Sequence, residues 1–134
     1  MQNFFKWKDS YDLGVHDMNE EHKVLISIMN KLFRYWEEGK EFEVLRDTID
    51  ELGSYTLKHF EDEERYMESL DYPDLKVHKI IHQDLLKKFK KYQEEFQTSG
   101  EISEKFFDFL KLWLSAHIQG IDMKYARHSK EGAA

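Results

Sequence analysis

Apolar positions recur along this chain at alternating steps of four and three residues, in four separate stretches. Met18, His22, Leu25, Met29, Leu32 and Trp36 make the first. Leu45, Ile49, Leu52, Thr56, His59, Glu63, Tyr66 and Leu70 make the second. The third runs Leu75, His78, His82, Leu85, Phe89, Tyr92, Phe96, and the fourth Phe106, Leu110, Trp113, His117, Ile121. That rhythm marks one face of an α-helix turned toward a core. Gly39 follows Trp36 as a helix stop, and Pro73 in SLDYPD can begin a helix but not continue one. Ser99 and Gly100 close the third stretch, and Ser103 is the expected N-cap of the fourth. Connections this short favour antiparallel neighbours. The expected fold is all-α, an up-down-up-down antiparallel four-helix bundle. A single domain is expected over residues 1–134: a short N-terminal arm, residues 1–16, and the bundle over about residues 17–128. The arm carries Phe4, Phe5, Trp7 and Tyr11, which should pack over an end or side of the bundle.

Six members of these stripes are not apolar. His22, His59, Glu63, His78, His82 and His117 sit where a packed helix should carry leucine. Burying one unpaired imidazole or carboxylate costs several kcal/mol. A lone case reads as a hydrogen-bonded core histidine. Six spread over all four helices read instead as donors to one shared partner, and a metal accepts both nitrogen and carboxylate oxygen. His59 and Glu63 are four apart, as are His78 and His82, so each pair projects from one helix face a turn apart. Five histidines and a carboxylate overserve one ion, so two metals fit better than one. A bridge between them then needs negative charge. Glu63 can supply one; the fourth helix offers Asp122, five residues after His117 and about 140° away on a regular helix. A π-bulge would bring the two closer to alignment.

Other chemistry is excluded or weak. No histidine has a glutamate three residues before it, as ferritin-like di-iron bundles need, and Lys79 stands where a zinc protease needs glutamate. There is no P-loop, dinucleotide-binding turn or serine triad. Absence of cysteine removes disulfides and thiolate ligands. A formal charge of −7 argues against nucleic acid or anionic lipid as the main partner. No apolar stretch approaches the roughly 20 residues of a bilayer span or forms a signal peptide, so a soluble cytoplasmic protein is expected. The run KKFKK (87–91) reads as the wet face of the third helix, with Phe89 turned inward. His16 and His128 read as surface histidines, and Met67 as packing.

The segments LGVHDMNEEH, HFEDEERYM, YPDLKVHKIIH and WLSAHIQGID together resemble the hemerythrins, and within them the single-domain bacteriohemerythrins, from about Leu13 to Tyr125. The resemblance implies two iron ions. His78, His82 and His117 would hold one, His22 and His59 the other, with Glu63, Asp122 and a solvent-derived oxo or hydroxo between them. The first ion would then have six donors and the second five, leaving an open position for dioxygen. Trp113 and Leu114 look like the family's oxygen-pocket residues, an apolar wall. One departure is that the family often reads Asp-x-Gln-His at the first ligand, where this chain has Asn19, Glu20, Glu21, His22. It leaves open how the first helix starts and what orients His22.

The leading expectation is therefore a non-enzymatic, non-heme di-iron protein that reversibly binds dioxygen for transport, storage or delivery. It would act as a monomer, with an unidentified acceptor protein for its oxygen. The alternative is an oxygen-, nitric oxide- or redox-sensing or iron-holding protein using the same site. Sensors of this kind are commonly fused to signalling domains, for which 134 residues leave no room.

Overall fold

The computed structural model describes residues 4–132; residues 1–3 of the expected arm lie outside them. Four long helical rods form an antiparallel bundle, with no strand among the described residues. Helix α1 spans His16–Glu37, α2 Phe42–Ser69 and α3 Leu75–Ser99. The fourth rod is composite: α4 (Glu104–Ala116), a π-helical turn over His117–Asp122, then α5 (Met123–Gly132).

The helices form where the stripes place them and end where the sequence supplies stops. Gly39 follows the end of α1 at φ 68°, and Gly100 closes α3 at φ 73°, the left-handed region that glycine enters without steric cost. Leu25, Met29, Leu32, Ile49, Leu52, Leu110 and Leu114 are all but fully buried, which confirms the predicted core faces. The stripe on α2 is wider than the sequence rhythm indicated, because Phe60 and Met67 are also buried. Ser103 stands at the N-cap of α4, but its side chain makes no capping hydrogen bond; its backbone carbonyl accepts from Phe106 N–H.

The arm folds back over α1 and the fourth rod. Phe5 is buried and exchanges two hydrogen bonds with Asn30, at 2.7 and 2.8 Å. Phe4 stacks on Phe33 and meets Phe107 edge-on. A short 3-10 turn, Asp9–Tyr11, buries Tyr11, and Leu13 is wholly enclosed. The start of α1 is secured by Asn19, which accepts from Leu13 N–H and donates to Asp12, whose carboxylate also accepts from Gly14 N–H. The Asn19 departure thus contributes a clasp for the first helix. No described helix is long and apolar enough to cross a membrane.

Candidate metal centre

The bundle brings together all seven side chains that the sequence singles out. His22 comes from α1, His59 and Glu63 from α2, His78 and His82 from α3, and His117 and Asp122 from the π turn. None is more than 4% exposed. The fourth rod departs from α geometry where the spacing of His117 and Asp122 demands it. In a π turn the hydrogen bonds run from i to i+5, so residues five apart return to one face, and Asp122 points inward with His117.

Two groups of donors result. One contains His78, His82, His117 and Glu63; the other contains His22, His59, Glu63 and Asp122. In the first, His117 Nε2 lies 3.1 Å from His78 Nε2 and 3.2 Å from His82 Nε2. For a transition-metal ion held by imidazole at about 2.1 Å, donors at right angles lie about 3 Å apart. His78 and His82 both stand at that spacing from His117.

Glu63 belongs to both groups, one oxygen to each. Its Oε1 lies 2.9 Å from His82 Nε2 and 3.2 Å from His78 Nε2, while Oε2 lies 3.6 Å from His22 Nε2 and 3.4 Å from His59 Nε2. Asp122 divides in the same way. Its Oδ1 is 3.0 Å from His117 and 3.2 Å from His78, and its Oδ2 is 3.2 Å from His22. Glu63 therefore faces three histidines with one oxygen and two with the other, and Asp122 faces two with one oxygen and one with the other.

Protein groups alone do not satisfy this cluster. His22 Nε2, His59 Nε2 and both Asp122 oxygens are fully buried without a hydrogen bond of acceptable geometry, despite their short separations. Each such orphan costs about 1–3 kcal/mol. Electrostatics express the same shortfall. Burial opposes charge on His59, but Glu63 and the hydrogen bond that His59 donates to Glu21 outweigh it and lift its pKa to about 9. Burial likewise opposes charge on His117, where Asp122 and Glu63 prevail and raise it to about 10. Burial pushes Glu63 and Asp122 upward, yet the surrounding imidazoles hold both below the usual carboxylate range. In a metal-free site these carboxylates favour the protonated forms of His59 and His117. A divalent ion would take the protons' place.

Several neighbours were not singled out from sequence. Glu21 Oε1 lies 2.7 Å from His59 Nδ1, and Glu64 Oε2 lies 2.8 Å from His82 Nδ1. Each group thus has one histidine backed by a carboxylate that reaches toward solvent, an arrangement that fixes the tautomer and aims Nε2 inward. Glu21 orients His59, not the adjacent His22, whose Nδ1 has no partner. Phe60 stacks on His82 at 3.8 Å with planes 2° apart. Tyr125, wholly buried, donates its hydroxyl to Glu63 Oε2 at 3.0 Å, and burial together with Glu63 keeps its pKa well above the ordinary value. The only advance signal for these residues was position: Glu21 and Glu64 flank ligand candidates directly, and Tyr125 follows Asp122 by three. Trp113 packs against Phe60 and His117, on the three-histidine side, and Leu114 is fully enclosed.

Comparison with known proteins agrees with this geometry. The Hemerythrin HHE cation binding domain pattern matches residues 13–128. The chain is 32% identical over 124 residues to the bacteriohemerythrin of Stenotrophomonas maltophilia (strain R551-3), covering 92% of this chain and 80% of that protein. It is 30% identical over 126 residues to the bacteriohemerythrin of Clostridium acetobutylicum, covering 90% and 98%. A crystal structure of wild-type hemerythrin superposes with a TM-score of 0.83 at 25% identity, covering 92% and 95% of the two chains. The chain belongs to the hemerythrin family.

Proposed function

We propose that this protein binds dioxygen reversibly at a pair of iron ions held by His78, His82 and His117 on one side and His22 and His59 on the other. Glu63 and Asp122 would each give one oxygen to each ion. The observation that carries the reading is the division of both carboxylates between a three-histidine and a two-histidine group. Two such ions would supply the electrons for binding dioxygen, which side chains alone cannot offer. The surrounding residues prepare the site for them. Glu21 and Glu64 hold His59 and His82 with Nε2 turned inward. Tyr125 keeps its proton and donates to Glu63, which steadies the shared carboxylate. Phe60, Trp113 and Leu114 wall the centre with apolar surface and exclude water.

Five imidazoles and two carboxylates make a less anionic donor set than carboxylate-rich oxygen-activating sites, which favours binding and release over bond cleavage. The function proposed is thus carriage, storage or delivery, not turnover. A cytoplasmic address, a monomeric state and an acceptor protein for the oxygen belong to the same proposal. The test is an optical spectrum of the reduced, iron-loaded protein before air, after air and after removal of oxygen. A new band that appears with air and vanishes on deoxygenation, over repeated cycles, supports the reading. A single irreversible change to a ferric spectrum contradicts it.

A further inference from the structure

Charge in this molecule is strongly segregated, and the site does not account for it. Six lysines and one aspartate leave residues 75–92 of α3 five charges positive; with −7 for the whole chain, everything else sums to −12. The six lysines, Lys76, Lys79, Lys87, Lys88, Lys90 and Lys91, are all exposed. Lys88 pairs with Asp84 at 3.1 Å. Among the described residues, the other five have no carboxylate within the 4.0 Å range of an ion pair, although the chain is rich in acids. Between them lie two exposed aliphatic side chains, Val77 at 55% and Ile80 at 58%. Lys76, Ile80, Lys87 and Lys91 follow helical spacing along the face opposite His78, His82 and Phe89, which are buried. An apolar centre with a charged rim is the anatomy of a protein interface.

We propose that this outer face of α3 is the docking surface for an acidic one-electron carrier protein that returns the iron centre from the ferric to the ferrous state. The inference rests on the di-iron reading above. Charge complementarity defines the partner's surface, and the position of the stripe defines its role. His78 and His82 project from the opposite side of the same helix, so a carrier docked on the lysines lies about one helix diameter, roughly 10 Å, from the imidazoles. Each carrier gives up one electron and one ferric ion gains it, so two carriers are oxidised per chain; no bond to the protein forms or breaks. A flat anionic membrane fits less well. The stripe is one helix wide, and the exposed Glu61 and Glu68 on neighbouring α2 would meet the same charged plane. A second copy could offer an acidic face, but it would bring two bodies of −7 together.

The experiment uses the full iron-loaded chain, oxidised, with reduced plant-type [2Fe–2S] ferredoxin as the acidic donor probe. Stopped-flow absorbance follows loss of the ferric spectrum at low and at physiological ionic strength. The variants are Lys79→Glu/Lys87→Glu/Lys90→Glu and, with the same charge change elsewhere, Lys6→Glu/Lys8→Glu/Lys31→Glu. Steered encounters gain about 10-fold or more from complementary fields. The parent rate should therefore fall about 10-fold between the two salt conditions, and the α3 triple reversal should cause a comparable loss at low salt. The control triple should lose much less, and dithionite should reduce all three proteins equally. Normal dithionite reduction with a ferredoxin rate indifferent to the α3 reversal overturns the docking surface alone. Protein without reducible iron overturns the proposal together with the di-iron reading. Sedimentation or flotation showing that the α3 reversal instead abolishes self-association, or binding to phosphatidylserine vesicles, with the ferredoxin rate unchanged, assigns the face to that other occupant and overturns the proposal.

Discussion

Replacing Glu64 by alanine tests whether the carboxylates behind the histidines shape the centre. Glu64 Oε2 accepts from His82 Nδ1 at 2.8 Å, and His82 is 1% exposed while Glu64 is 24% exposed. Truncation leaves a buried N–H without its acceptor, a loss of about 1–3 kcal/mol. The partial exposure of Glu64 lets water approach the vacated position, which favours the lower end. At 1.4 kcal/mol per factor of ten, the three-histidine group should bind metal about 10-fold more weakly, within the 10–100-fold span found for such supporting partners. Phe60, stacked on the ring, still limits its tilt, so the loss should be one of affinity and not of the site. Glu64→Gln keeps a carbonyl acceptor and should recover part of the loss. Glu61→Ala, an exposed neighbour on α2, should have no effect. The assay is titration of metal-free protein with Co(II) against a chromophoric chelator. Parental affinity in Glu64→Ala, or an equal loss in Glu61→Ala, would refute the reasoning.

Three further outcomes are expected. Deleting Gly120, whose Cβ position meets nothing within 4 Å, leaves Asp122 four residues after His117, about 40° away on a regular helix, so the turn should become α-helical with Asp122 still inward; metal analysis should still find two ions per chain, and loss of an ion would rule out the role given to the turn. In metal-free protein, His59 and His117 have pKa values raised to about 9 and about 10, so their stabilisation is full below their unfolded value near 6.5 and is lost as pH rises through 9–10. Glu63 and Asp122 are depressed, so theirs is present above about pH 4 and is lost as pH falls through the lowered values. Thermal unfolding should therefore show an alkaline limb that metal loading removes, and identical limbs in both forms would contradict the coupling. Because Gln119 of the π turn donates to Ser10 of the arm at 2.7 Å, an arm that served as a signalling output would respond to ligation. A carrier needs no output, so amide exchange over residues 4–15 should match in reduced, oxygenated and oxidised protein.

Much of this architecture is legible in the sequence because helical packing imposes a period. His22, His59, Glu63, His78, His82 and His117 fall on the same stripes as the leucines, and six costly residues on dry faces already require a common partner. Asp122 is different. The regular repeat turns it away from His117, and only the local π geometry, or a resemblance among whole motifs, places it inside. Glu21 and Glu64 are less legible still. Each lies one residue off its helix's inward face, where a carboxylate ordinarily meets water, and their partners are histidines on other helices. Tyr125 follows Asp122 by three residues, so its place beside Glu63 is fixed only once the π turn is known. Trp113 shows the opposite limit. The stripe predicts its burial but not which half of the centre it covers.

The central claim is that Glu63 and Asp122 each serve two ions of unequal histidine count. A crystal structure of the iron-loaded chain, with anomalous scattering recorded at the iron edge, tests it most directly. The account predicts two peaks about 3.5–4 Å apart, one against His78, His82 and His117 and the other against His22 and His59, with both carboxylates between them. A single peak, or two peaks with either carboxylate bound to one ion alone, would contradict it.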